Sequence, residues 1–335
     1  MLDVLTIGDV SLDTFLMLDE GEVEINGKLL TLAFGAKIPV KQVAYSMGGN
    51  AANVAVGLSR LGFRAGIVTA LGADGLAEHL RADLAKDGVS LKYARRQAGS
   101  QSNHSTVLSS KGERSIFIHH EPRQYLWPAK IEPSSWVYLT SMAEGAENLF
   151  PAILHYIDKS GAKLALAPGT FQLRLPLPKL RGLLKQTEVL FLNLDEAERL
   201  AAKVHSIPKL SPATKRLKHA KLLAQLKALG PSAVIVTDGQ NGAWAVSDGV
   251  WFRLTLNKKR PDKESTGAGD AFATGVLAGL LRGQALPEAL NWGIEEAASV
   301  VQQIGAEAGL LTEYQLKERL NHHQPICKIR TEVFK

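Results

Sequence analysis

Glu264-Ser265-Thr266-Gly267-Ala268-Gly269-Asp270-Ala271-Phe272 sets two glycines and a carboxylate at the head of an apolar stretch that continues to about Arg282. Glycine lets a backbone come close to a ligand, and the free N–H groups at a helix start attract anions. Gly267, Ala268 and Gly269 are therefore candidates to hold the charge of a transferring phosphoryl group. A carboxylate just beyond such a cradle would repel a phosphate, but it can take a proton from an attacking hydroxyl. Asp270 is the candidate general base. The same stretch also fits an ordinary glycine-rich helix start, because the helix dipole favours an aspartate in the first turn.

Working outward, the apolar run 2–7 closed by Gly8-Asp9 predicts a buried first strand. Asp9 and Asp13 then sit at its carboxyl end, where open α/β sheets collect ligands. Residues 14–47 show no helical period, carry glycines at 21, 27 and 35, and alternate in pieces, which predicts a small β-rich subdomain. Gly48-Gly49-Asn50 opens a helix with Ala51, Ala52, Ala55 and Leu58 on a helical spacing, stopped by Gly62. A strand over 65–71 follows, then a helix capped by Asp74 that ends at Gly88. The rhythm breaks over 105–120, where two alternating runs flank Lys111-Gly112 and predict a β-hairpin. Strands near 136–140, 163–167, 188–192 and 233–237, separated by helical segments such as 195–203, restore it, and helices dominate from 269 to about 320. This order predicts an α/β fold with a mostly parallel central sheet covered by helices, as one domain over 1–335. The two β-rich interruptions, about 14–45 and 97–127, are expected to pack together as a small inserted lid.

With 45% apolar and 21% charged residues in 335, the chain has the balance of a folded globular protein. Its net charge of +6 favours anionic partners. The densest cationic stretch, 203–221, carries Lys209, Lys215, Arg216 and Lys218 without interleaved aromatic rings, so it reads as a solvated helix face, not a nucleic-acid surface. A single cysteine, Cys327, excludes an intrachain disulfide and a cysteine-rich zinc site. With no basic leader and no run near the ~18 apolar residues of a membrane span, a cytoplasmic location is expected.

Gly48-Gly49-Asn50-Ala51-Ala52-Asn53 and Gly267-Ala268-Gly269-Asp270, in that order, resemble the two signatures of the ribokinase-like (PfkB) carbohydrate kinase family. The resemblance runs from Asp3 to about Leu311. It implies a ribokinase-like three-layer α/β/α fold with a β-lid, and an ATP-dependent phosphotransferase that moves the γ-phosphoryl group to a sugar hydroxyl with Asp270 as base. Asp13, Gly48, Gly49, Asn50 and Asn53 would then bind the acceptor. Asn50 can donate and accept at once, although it also fits an N-cap, and Asp13 also fits a turn. Asn193-Leu194-Asp195-Glu196 resembles the family's Asn-x-x-Glu motif, which implies that Asn193 faces the nucleotide and that Glu196 organises Mg²⁺ through water. Helix capping by Asn193 or Asp195 can coexist with that role. Thr237-Asp238-Gly239-Gln240-Asn241-Gly242 resembles the nucleotide-side loop, implying contacts from Thr237, Gly239 and Gly242; read locally, its glycines mark tight turns.

Two departures stand out. Glu264 replaces an aspartate found in many members, so a monovalent cation is left unassigned, and Ala167-Pro168-Gly169 replaces an asparagine-containing strand end, so no contact is assigned there. A dinucleotide-binding oxidoreductase would need Gly-x-Gly-x-x-Gly after the first strand, where this chain reads Gly8-Asp9-Val10-Ser11-Leu12-Asp13. A noncatalytic sugar- or nucleotide-binding protein would have no need of the intact Gly-Ala-Gly-Asp. The expected partners are ATP, a small-molecule sugar or nucleoside, and a second copy docked through the lid, with neither nucleic acid nor membrane. Ribose, fructose, 2-keto-3-deoxygluconate, a sugar phosphate and a nucleoside all remain open as acceptors.

Overall fold

Both faces of the strand Leu2–Ile7 are covered, with Val4 in one apolar cluster and Leu5 and Ile7 in the other. Continuous apolar runs encode this double burial, which parallel sheets require. The computed structural model describes residues 1–19, 23–26, 29–110, 113–204, 215–257, 265–322 and 326–333. The expectations at Lys111-Gly112, Lys209 and Glu264 lie outside the described residues.

The central sheet has 10 strands. From one edge the order is Ser90–Arg96, Ala65–Leu71, Leu2–Ile7, Ser134–Leu139, Lys163–Leu166, Thr187–Asn193 and Ala233–Thr237, all parallel, then Ala243–Ser247, Val250–Leu256 and Cys327–Val333, each antiparallel to its neighbour. Helices Asn50–Arg60, Gly75–Lys86, Ala268–Leu281 and Leu286–Val300 bury their apolar sides in one cluster. Phe150–Ser160, Leu177–Gln186, Leu194–Ala201 and Lys215–Lys227 do so in the other. The result is the expected α/β/α layering.

Topology creates the crevice. The chain runs outward from Leu2–Ile7 through Ala65–Leu71 to Ser90–Arg96, then returns to Ser134–Leu139 on the opposite side of Leu2–Ile7. Connections leaving the two adjacent strands diverge at such a reversal, and ligands bind there, beyond the strands' carboxyl ends.

A second, four-stranded sheet has the order Val40–Gly48, Ser11–Leu18, Asn103–Ser110, Glu113–His119. Its central pair is parallel and its outer pairs are antiparallel, so the two β-rich interruptions do meet. Phe15 and Val107, fully buried, anchor it. A short ribbon, Glu24–Asn26 with Leu29–Thr31, completes the β structure of this region. The three antiparallel edge strands of the central sheet went unread in the sequence. Val250–Leu256 alternates buried Phe252 and Leu254 with exposed Arg253 and Thr255, a period of two that a search for continuous apolar runs passes over. Among the described residues, no helix is long and apolar enough to cross a membrane.

Candidate active site

The helix Ala268–Leu281 starts from Gly267, whose φ of 79° lies in the left-handed region and whose missing Cβ would collide with Ala306. Only glycine satisfies both conditions without strain. Ala268 N reaches back to Ser265 O at 3.3 Å and Ala271 N to Gly267 O at 2.8 Å. The N–H groups of Gly269 and Asp270 belong to the first turn of this helix, and first-turn N–H groups suit an anion. Asp270 is buried, and its Oδ2 accepts a hydrogen bond from Asn53 Nδ2 at 2.8 Å. Burial pushes the Asp270 carboxyl up to about 7; the Asn53 hydrogen bond opposes that rise, while the charges of Glu196 and Asp13 add to it.

Asn53 comes from the other glycine signature. Gly49, with φ 95°, is the N-cap of the helix Asn50–Arg60, so Asn50 is its first helical residue and not its cap. Asn53 lies one turn further in, buried against Asp270. Gly48 ends the strand Val40–Gly48 opposite Ser11, and it packs directly on the Asp13 carboxyl, where a side chain would not fit. Ser11 Oγ donates to Asp13 Oδ1 at 3.1 Å. Asp13 is thus a strand residue with an oriented carboxyl and not a turn residue.

These groups enclose a cavity of about 190 Å³ lined by Asp9, Asp13, Asn50, Asn53, His120 and Asp270 among others. Asp9 is held from three sides: Tyr125 Oη donates to its two oxygens at 2.8 and 3.0 Å, Ala143 N donates at 3.1 Å, and His120 Nδ1 lies 3.6 Å away. Position alone marked Asp9 in the sequence, and nothing local marked Tyr125 or His120.

On the other side of Asp270 lies a cavity of about 280 Å³, lined by Asn193, Glu196, Thr237, Gly267 and Gly269, with Ala167-Pro168-Gly169 in its wall. It continues into one of about 360 Å³ bounded by Gly239, Gly242 and the apolar Phe272, Ile294 and Val301. Asn193 and Glu196 form a capping box at the start of Leu194–Ala201, with Asn193 Oδ1 accepting from Glu196 N and Glu196 Oε2 accepting from Asn193 N, each at 2.9 Å. Capping therefore occupies one Glu196 oxygen and leaves the other for the cavity. Burial raises the Glu196 carboxyl, against the pull of the Asn193 backbone N–H. At the glycine loop Asp238 N donates to Gly242 O at 2.8 Å, so the tight turn and the cavity wall are the same structure.

Arg114, on the strand Glu113–His119, reaches across to donate to Ser265 Oγ and lines both the 280 Å³ and the 360 Å³ cavities. Oxygen donors suit a hydrated Mg²⁺. Among the described residues, no group of three or more His, Cys, Asp or Glu could hold a metal by itself. The Glu196 oxygen outside the capping box is an oxygen donor of that kind in the wall of the 280 Å³ cavity.

Asp270, Gly267 and Asn50 line both the 190 Å³ and the 280 Å³ cavities. The Asp270 titration tests this geometry. Followed by ¹³C NMR of the carboxyl, its midpoint should lie at about 7 and move higher in Asn53→Ala, which removes the donor favouring the charged form. A midpoint in the ordinary aspartate range in the parent, or an unmoved one in the variant, contradicts the environment described.

A model of the pfkB family carbohydrate kinases matches residues 14–313. Fructoselysine 6-kinase of Escherichia coli K12 is 28% identical to this chain over 270 residues, covering 77% of this chain and 91% of that protein. Cytidine kinase of Thermococcus kodakarensis is 26% identical over 330 residues, covering 91% and 98%. In fold, the chain resembles Arabidopsis thaliana ribokinase complexed with ribose and ATP, with a TM-score of 0.77 at 21% identity over 96% of this chain and 99% of that one. Since the family match spans most of the sequence and includes both glycine signatures, the chain belongs to the pfkB family of carbohydrate kinases and is an ATP-dependent phosphotransferase of that class.

Proposed function

We propose that the protein transfers the γ-phosphoryl group of ATP to a hydroxyl of a sugar held in the Asp13 cavity, with Asp270 as general base. The observation that supports this most is that Asp270 lines both the acceptor cavity and the phosphate-side cavity, with its carboxyl lifted to about 7. A carboxylate at that junction can accept the hydroxyl proton as the oxygen attacks the γ-phosphorus and the bond to ADP breaks. Asp13 and Asn50 would orient the acceptor, with Gly48 and Gly49 giving their backbone room. The helix start at Gly267-Ala268-Gly269 would meet the charge of the transferring group. Asn193, Thr237, Gly239 and Gly242 would face the nucleotide, with its base against Phe272, Ile294 and Val301. The Glu196 oxygen outside the capping box would hold the waters of Mg²⁺, which neutralises phosphate charge when bound. Similarity to a cytidine kinase over 91% of the chain supports a second acceptor type, the ribose hydroxyl of a nucleoside.

The four-stranded sheet overhangs the acceptor cavity through Ser105, Ile116, Ile118 and His119. In this reading it is a lid that closes to exclude water.

Each role has its own test. Asp270→Asn should keep ATP binding and lose roughly 10²–10⁴-fold in turnover. The parent's rate should fall as pH drops through about 7, where protonation removes the base; near-parental turnover in the variant eliminates Asp270 from that role. Glu196→Gln can still cap its helix, so a lower turnover with a raised Mg²⁺ requirement isolates the metal role, and an unchanged Mg²⁺ titration leaves capping alone. Acceptor binding should slow amide exchange in Asn103–Ser110 and Glu113–His119 while Ser134–Leu139 changes little. Equal lid exchange with and without a turned-over acceptor rejects closure.

A further inference from the structure

The segment 301–312, between the helices Leu286–Val300 and Glu313–His322, touches two parts of the site at once. Ala306 occupies the space that a side chain on Gly267 would need, at the start of the helix that carries Asp270. Gly305 lies against Ser46, where a side chain would meet the Ser46 Cβ and Oγ, and Ser46 is paired in register with Asp13. Two successive residues therefore back the Gly267 helix start and the strand beside Asp13.

Arg60, the last residue of the helix Asn50–Arg60, grips this segment. Its Nη1 donates to Glu307 O at 2.7 Å, one residue beyond Ala306. Its other edge forks onto Asp87, the C-cap of Gly75–Lys86, with Nε to Oδ1 at 2.7 Å and Nη2 to Oδ2 at 3.1 Å. A guanidinium can hold a carboxylate with two parallel bonds and direct a further donor elsewhere in a fixed geometry, which a lysine ammonium cannot reproduce. Glu296 and Glu307 also lie near Arg60, but burial raises both carboxyls to about 8, so both are mostly protonated at neutral pH and Asp87 is the charged partner. At the far end of the segment, Leu311 N donates to Glu296 Oε2 at 3.2 Å. Close-packed interiors transmit displacement, so a shift at Glu307 passes to Ala306 and Gly305.

We propose that Arg60 is a positioning residue for phosphoryl transfer: by holding Glu307 O it keeps the segment 301–312 seated against Gly267 and Ser46 together. It acts through that segment and touches neither substrate. The inference rests on the kinase reading and adds to it a residue outside both glycine signatures.

The test compares the parent with Arg60→Lys and Arg60→Met in a coupled ADP-release assay, using ATP and an acceptor that the parent turns over, at a temperature where calorimetry shows each protein folded. Both variants should show a raised KM for ATP and for the acceptor, and kcat/KM lower by about 10–100-fold, since a misplacement of about 1 Å can cost about 100-fold. Amide exchange should quicken at 267–270 and at 45–48 and stay as in the parent over Leu2–Ile7. A lower kcat with both KM values unchanged is what a smaller folded fraction gives, and it overturns the positioning role. Parental kinetics in both variants, or exchange that quickens equally throughout the chain, overturns it as well. Should the Arg60 variants not fold, Asp87→Asn, which loosens the fork and leaves the guanidinium, decides by the same readouts. No turnover by the parent with any acceptor overturns the kinase reading and this inference with it, whereas failure of the inference alone leaves parental turnover intact.

Discussion

The hydrogen bond from Asn53 Nδ2 to Asp270 Oδ2 joins residues 217 positions apart in the chain. Each partner sits in the first turns of a helix that a left-handed glycine starts, Gly49 for one and Gly267 for the other. The two helices lie close enough that a side chain at Gly57 would strike Thr274. Their starting ends therefore open on the same crevice, where Asn50 and Gly267 line both the 190 Å³ and the 280 Å³ cavities. A hydrogen bond to a charged group contributes about 1.5–3 kcal/mol, and here it works against the rise that burial imposes on the carboxyl. Burial and the Asn53 bond pull the Asp270 carboxyl in opposite directions, and their balance, with the charges of Glu196 and Asp13, leaves it at about 7.

Charge is divided unevenly across this junction. The helix start at Gly267 and Arg114 bring positive character to the wall of the 280 Å³ cavity. The carboxylates of Asp9, Asp13 and Asp270 and the amides of Asn50, Asn53 and Asn103 line the 190 Å³ cavity. Both halves meet at the sheet's strand-order reversal, so the division follows from the topology of the chain as much as from its side chains.

Much of this was legible in the sequence because it is set locally. Glycines that demand a left-handed backbone, apolar runs that demand burial on both faces, and an aspartate after Gly-Ala-Gly announce themselves within a few residues. The Asn193–Glu196 spacing carried two meanings; the capping box is the first of them, and it leaves one Glu196 carboxylate oxygen outside it. Long-range contacts were not legible. Tyr125 on Asp9, Arg114 on Ser265 and Asn53 on Asp270 are fixed by how the second sheet and the two helices settle on the central one. The edge strand Cys327–Val333 was hidden for a similar reason, because its partner Val250–Leu256 lies far back in the chain and neither is buried on both faces.

The central claim is that one buried carboxylate faces both substrates. A crystal structure with a nonhydrolysable ATP analogue, Mg²⁺ and an acceptor shown to be turned over tests it most directly. The account predicts the analogue's terminal phosphate at the Gly267-Ala268-Gly269 helix start and an acceptor hydroxyl within roughly 2.6–3.2 Å of an Asp270 oxygen, the reach of a general base. An acceptor hydroxyl aimed at the phosphate but beyond the reach of Asp270, directly or through one water, would contradict it.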